Sequence, residues 1–185
     1  RISPYGRAQT MVKKSMTAMK DISDAGLNKL YCGMESGSAQ VLKQVKKGIT
    51  PESIIKSAHM AHEAGMDTTQ FIILGLGGET LSRSHAVETA KVLNEINPDH
   101  IRLLTIGVKP GSGLDCQMAN GDFILPSETH MISEQRLLLE RLEGITSHYA
   151  NHHSVDLLLE VRGRLPGDKD RLLAILDRFL SLSER

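Results

Sequence analysis

The chain has 185 residues, enough for one domain with a core of its own. Its 22 basic and 22 acidic residues cancel, and a pI near 7.3 gives no electrostatic footprint for nucleic acid or an anionic membrane. Aromatic residues are 3% of the chain and Trp is absent, which argues against base stacking; no apolar stretch approaches the ~18–20 residues of a bilayer span. The two cysteines, Cys32 and Cys116, are far apart and form no C-x-x-C pair, a usage that fits a reducing, cytoplasmic setting. No signal peptide is visible and the first residue is Arg1, so the sequence reads as an excised or processed piece of a longer protein.

Arg1 to Ser3 is a short candidate strand that Pro4 would end. Ser15 caps a predicted helix over about 16–25, with Met16, Met19 and Ile22 on one face and Gly26 as the left-handed stop. Leu30–Met34 reads as a strand, and residues 35–38 turn into a helix carrying Val41, Leu42 and Val45, stopped by Gly48. Thr50-Pro51 marks the next helix, whose stripe is Ile54, Ile55, Ala58 and Ala61 and whose end is Gly65. Then comes the stretch around which the rest is arranged. The apolar run Phe71–Leu74 reads as a strand buried on both faces; it meets the glycine-rich turn Gly75–Gly78, and Thr80 is a helix-start signal. The following helix is expected over 81–96 and stops at Asn97-Pro98.

Ile101–Ile106 is another strand. Residues 107–126 form a long connection with one helical turn near Gln117, and connections of that length in a compact domain usually have a function. Ser127 caps a helix with Ile132, Gln135, Leu138, Leu139 and Leu142 facing inward. Residues 145–165 carry no readable pattern, and a last amphipathic helix spans about 168–182 with Leu172, Ile175, Leu176 and Phe179 buried. Strands and helices alternating at ~30 residues or more make βα units with right-handed crossovers and a parallel sheet. Four such units are too few to close an eight-stranded barrel.

In such a sheet three strand ends share one rim: Glu35 and Ser36, Gly75–Glu79, and the loop after Ile106. One acidic acceptor, apolar strand ends and glycine backbone describe a small-molecule site. Glu35 can accept hydrogen bonds from ribose hydroxyls or an amine; equally, Ser36 or Ser38 can be an N-cap, with Glu35 favouring the helix dipole. Gly75–Gly78 is a poor phosphate cradle: no Gly-Lys-Ser/Thr follows, and Thr80 stands where G-x-G-x-x-G wants its third glycine. His59 with His62, and His148 with His152 and His153, are weighed as metal ligands against boundary and loop hydrogen bonding; no metal is assigned and no catalytic residue is named. Cys32, mid-strand, reads as a small core residue.

Taken together, these residues resemble the radical SAM superfamily. Gly33–Leu42 (GMESGSAQVL) is similar to its fourth-strand segment, G-x-E-S-G-S, and Phe71–Thr80 (FIILGLGGET) to the fifth, with Gly77 where Pro is common. Lys109–Ser112 resembles the P-G-T turn after the sixth strand. The likeness is nearest to oxygen-independent coproporphyrinogen oxidase-like proteins and the wider iron–sulfur oxidoreductases. Ser147–His152 and Arg162–Asp168 resemble a tail in one uncharacterised subgroup.

The resemblance implies an incomplete (β/α) barrel over residues 1–126, the second half of a radical SAM barrel, with C-terminal helices and an extension over 127–185 packed on it. It implies S-adenosylmethionine at the strand carboxyl ends, cleaved by a [4Fe–4S] cluster to a 5′-deoxyadenosyl radical. Glu35, beside Ser36, matches the position that meets ribose. Lys47 matches a basic position that meets the methionine carboxylate, often Arg in relatives. Ile73 and Gly75 match the pair that packs on adenine, and Phe71 stands where some relatives carry a polar contact. The family's C-x-x-x-C-x-x-C cluster loop has no counterpart, and two distant cysteines cannot supply three thiolates. The cluster is therefore expected only in a full-length parent, and the chain alone is expected to be inactive. The alternative is a non-catalytic α/β module for ligand binding or subunit contact. Expected partners are the missing cluster-binding half and an unidentified small-molecule substrate, with no nucleic acid or membrane. An open sheet edge is expected to drive self-association or to be shielded by the C-terminal segment.

Overall fold

The computed structural model describes residues 4–151 and 158–183. Six strands form one sheet whose spatial order follows the sequence: β1 (Tyr5–Gly6), β2 (Lys29–Glu35), β3 (Asp67–Leu74), β4 (His100–Thr105), β5 (His148–Asn151) and β6 (Arg162–Arg164). β1 to β5 run parallel and β6 pairs antiparallel with β5. β1 and β6 are the two ends of the order, so the barrel is open as expected. A strand predicted at residues 1–3 lies outside the described residues. The first described strand follows Pro4, which lacks an N–H but still accepts the Tyr31 N–H at 3.0 Å.

Helices α1 (Ala8–Met11), α2 (Met16–Asp24), α3 (Ala39–Gln44), α4 (Pro51–Glu63), α5 (Gly78–Ile96), α6 (Gly113–Ala119), α7 (Glu128–Glu140) and α8 (Lys169–Ser183) account for the connections. Their starts obey capping chemistry. Ser15, Ser112 and Ser127 each accept a backbone N–H of the first turn, and Thr50 and Ser53 form a reciprocal capping box before α4. Asn97 ends α5 in the left-handed conformation, φ 39°.

One prediction fails at a helix start. The helix after the glycine turn begins at Gly78, three residues before Leu81, and Thr80 is not its cap. Gly77 occupies that position, and backbone replaces a capping side chain: the Gly78 N–H donates to Gly75 O and the Glu79 N–H to Ile124 O. The segment 145–165, unreadable in sequence, supplies β5 and β6. They are short, and β5 mixes exposed His148 with buried Tyr149, so periodicity had little to register.

The helices cover one face of the sheet. Ile72, Leu74, Ile101, Leu103 and Tyr149 point into it and meet Ala86, Ala90 and Leu93 of α5, Leu138 and Leu139 of α7, and Leu172 and Leu176 of α8. This core runs from Met34 to Leu176. A second cluster, including Met11, Met19, Leu30, Ala61 and Met66, seats α1, α2 and α4 beside β2. Alternate residues face the other way, by strand periodicity. Register aligns them in rows: Tyr5, Tyr31, Thr69, His100, His148 and Arg164 in one, and Gly33, Phe71, Arg102, Ala150 and Arg162 in the next. The glycine turn and Glu35 lie at the carboxyl ends of adjacent parallel strands, on one rim.

Candidate functional site

Glu35 closes β2 in an unusual backbone state. Its φ is 64°, a region that costs a non-glycine residue about 1–3 kcal/mol, and the β2–β3 register shifts between Gly33 and Glu35. The bulge turns the carboxylate back over its own strand. A Cβ on Gly33 would lie 2.3 Å from Glu35 Oε1, so a larger residue there would push the carboxylate out of this position. Lys47 Nζ donates to Glu35 Oε1 at 2.8 Å. The Lys47 backbone is set by two left-handed neighbours, Lys46 (φ 53°) and Gly48 (φ 72°), and by Gln9 Nε2, which donates to the carbonyls of Lys47 and Gly48 at 3.1 Å each. The pair lines a cavity of about 480 Å³ together with Tyr5, Arg7, Gly33 and Ile49.

Ile73 is half-buried and faces away from the helices at the end of β3, beside Leu104 of β4. Gly75 sits at φ 80°, and a Cβ there would come within 2.9 Å of both Ile106 and Met131. Its N–H donates to Glu134 Oε1 at 2.8 Å. The structure thus brings Glu35 and Lys47 into contact and sets Ile73 and Gly75 at the neighbouring strand end, although these two do not line the cavity that the ion pair lines.

Ser36 is elsewhere. It is fully buried behind the rim, where its Oγ accepts the Ser38 N–H at 3.0 Å and lies 2.8 Å from His85 Nδ1. Ser38 is the residue before α3, but its hydroxyl makes no capping bond. His85 Nε2 lies 3.1 Å from Ile73 O. A carbonyl can only accept, so Nε2 carries the proton and Nδ1 accepts from the Ser36 hydroxyl. Burial pushes the His85 pKa down to about 4, which keeps the ring neutral.

Glu134 completes this set. Burial pushes its pKa up to about 7, against hydrogen bonds from Ser82 and the Gly75 N–H, and Oε2 has no hydrogen-bond partner among the described residues. Its 3.6 Å approach to a neutral His85 is not an ion pair. Ser36, His85 and Glu134 therefore tie the ends of β2 and β3 to α5 and α7. The sequence reading missed His85 and Glu134. The first was available from spacing: Ser82, His85, Ala86, Thr89, Ala90 and Leu93 form one buried stripe of α5. Glu134, beside the inward Gln135, carried no such signal.

The remaining candidates have local roles. Cys32 is half-buried against the second core cluster, and burial pushes its thiol up to about 11, far from a reactive thiolate. His59 lies in mid-helix, not at a boundary, near Glu95 O; His62 sits 3.4 Å from Asp99 Oδ2. His148 stacks on His100 with centroids 5.2 Å apart, while His152 and His153 lie outside the described residues.

An open, mostly parallel α/β sheet with a charged rim of strand ends and a glycine turn is the architecture of an incomplete (β/α) barrel. Residues 10–110 match the Radical SAM superfamily, and the chain belongs to it. It is 30% identical over 108 residues to an uncharacterized methyltransferase of Pyrococcus horikoshii, covering 58% of this chain and 22% of that protein. It is 22% identical over 136 residues to the heme chaperone HemW of Bacillus subtilis, covering 72% and 35%. Among solved structures, Elp3 of Methanocaldococcus infernus superposes with a TM-score of 0.70 at 15% identity over 98% of this chain and 42% of its own. The coproporphyrinogen III oxidase HemN of Escherichia coli gives 0.61 at 20% identity over 77% and 32%. The chain spans about a third or less of the curated relatives it matches, and the structural likenesses speak for the fold alone.

Proposed function

We propose that this chain is the S-adenosylmethionine-binding part of a radical SAM iron–sulfur oxidoreductase that works in the cytoplasm. The observation that carries the reading is the Glu35–Lys47 pair, held by strained backbone at the carboxyl rim beside Ile73 and Gly75. A sulfonium nucleoside with an amino-acid tail presents ribose hydroxyls, a carboxylate and an adenine ring, and this residue set offers a group for each. Glu35 accepts from ribose hydroxyls, Lys47 meets the tail carboxylate, and Ile73, beside the Gly75 turn, packs on adenine. Ser36, His85 and Glu134 hold these groups from behind. When bound beside a reduced cluster, S-adenosylmethionine supplies a 5′-deoxyadenosyl radical.

The cluster does not fit the residues present. Of the two cysteines, Cys32 is a protonated strand residue and Cys116 lies exposed on α6, so three thiolates do not meet at the rim. The cluster would come from residues outside this sequence, and this polypeptide alone would be inactive. The β1 edge, where Tyr5 is 82% exposed, is where a cluster-bearing segment or a second copy would add a strand. The same cysteine count favours a second reading, a non-catalytic ligand-binding or subunit-contact module. Calorimetric titration of the chain with S-adenosylmethionine separates the two. Saturable binding is expected, weakened about tenfold to a hundredfold by Lys47→Gln, the loss of one charge-assisted contact. An isotherm with no saturation, or one that Lys47→Gln leaves unchanged, would remove the proposal.

A further inference from the structure

The motif Arg162–Asp168 (RGRLPGD) is only half explained by folding. Gly163 faces α8, and a Cβ there would lie 2.6 Å from the Asp168 side chain. Asp168 accepts the Arg164 N–H at 2.7 Å and pairs with Arg171 at 3.1 Å, and Arg171 donates in turn to Arg162 O at 2.8 Å. Leu165 is buried in the core. These contacts fix the backbone of β6 and leave both arginine side chains exposed on the face away from the helices.

Register adds a third cation to that face. Arg162 pairs with Ala150, and Ala150 with Arg102; Arg164 pairs with His148, and His148 with His100. The backbones of Arg102 and Arg162 are thus two strand spacings apart, roughly 10 Å, and between them stands the small side chain of Ala150. Backbone spacing of this kind leaves room for a carboxylate or phosphate group between two arginine side chains. None of the three arginines has an ion-pair partner among the described residues, and Arg102 lies 5.9 Å above the Tyr31 ring. The acids near this face lie on its amino-terminal side, where Asp67, opposite Lys29, and Asp99, beside His62, line one cavity with His148 and Arg164; Glu35 is held by Lys47. His100 reports the local field, since burial first, then Lys29, His148 and Arg102, hold its pKa below the usual range. Three arginines without an ion-pair partner among the described residues, on one face of β4–β6, leave a positive patch that favours a bound anion.

We propose that Arg102, Arg162 and Arg164, with His148, form a subsite on the inner face of β4–β6 for a small molecule carrying at least two oxyanion groups, carboxylate or phosphate. Arg102 lies one row below Ile73 and Leu104, so a molecule held there reaches the rim. As a substrate subsite it rests on the cofactor reading above; as an anion site it is tested without it.

The test titrates the full chain with citrate and, separately, with pyrophosphate, following binding by calorimetry in the absence of S-adenosylmethionine. At least one of the two is expected to saturate. Citrate alone would point to a carboxylate substrate and pyrophosphate alone to a phosphorylated one. Arg102→Ala and the double variant Arg162→Ala/Arg164→Ala are each expected to weaken binding about tenfold or more, while Lys47→Gln changes it by less than about twofold. Arg→Lys at the same positions keeps charge and fold, and loses part of the affinity with the fork. S-adenosylmethionine titrations of the arginine variants should match the unaltered chain, which keeps the two sites' failures distinguishable. Saturation by neither anion, or binding that both arginine variants leave intact, would overturn the proposal.

Discussion

The β2–β3 rim and the β5–β6 hairpin place polar groups on the same sheet in opposite ways. At the rim the charges are paired with each other and the backbone is strained, with Glu35 at φ 64°, and a buried neutral network lies behind. In the hairpin the Arg162 and Arg164 side chains have no ion-pair partner among the described residues, and the β6 backbone is held at the surface by Asp168 and Arg171. The rim's geometry is built into the core, so damage there should unfold the protein. The hairpin is fastened at the surface, so damage there should stay local.

The largest effect expected at the rim is that of Gly37→Ala. A Cβ at Gly37 would sit 2.5 Å from Glu88 O and 2.6 Å from Thr89 Cα, both backbone atoms of α5 that cannot step aside. We expect a loss of about 3 kcal/mol, a fall in Tm of roughly 6–12 °C by thermal unfolding. A change within error would mean that the turn is not packed against α5.

The buried pair behind the rim gives opposed pH dependences. His85 has a folded pKa near 4, below its unfolded value, so its contribution is full above about 6.5 and is lost as pH falls towards 4. Glu134 has a folded pKa near 7, above its unfolded value, so its contribution is full below about 4.5 and is lost as pH rises through 7. The two nearly cancel in the intact protein. Relative to it, Glu134→Gln should gain stability as pH rises from 4.5 to 7 and His85→Gln should lose it from 4 to 6.5, each by up to about 3 kcal/mol. Parallel slopes in the two variants would break the assignment.

In the hairpin, Asp168→Asn should speed amide exchange at Arg164 and leave the Tm near that of the intact chain, the signature of a local fastening. The smallest effect is expected of Arg136→Ala, which removes an exposed pair with Asp177 and should cost less than about 1 kcal/mol in denaturant titration.

The same contrast explains what could be read in advance. Strong local chemistry was legible: Thr50-Pro51 before α4, the apolar run of β3, and the inward stripe of α7. The placement of Glu35 and Gly75 on one rim followed from counting βα units. What stayed hidden depends on distant partners. β5 and β6 are short and take their register from neighbours. Gly77 can cap α5 without a side chain because Gly75 O and Ile124 O receive the first N–H groups, a fact outside any local window. Ser36 looked like a ligand group beside Glu35, and only the packing of α5 shows its hydroxyl turned to His85.

The central claim is that the β2 and β3 carboxyl ends form one cofactor rim. Hydrogen exchange on the chain with and without S-adenosylmethionine tests it most directly. The account predicts added protection confined to the amides of residues 35–38, 46–48 and 75–78. Protection centred on any other segment, or none at saturating cofactor, would contradict it.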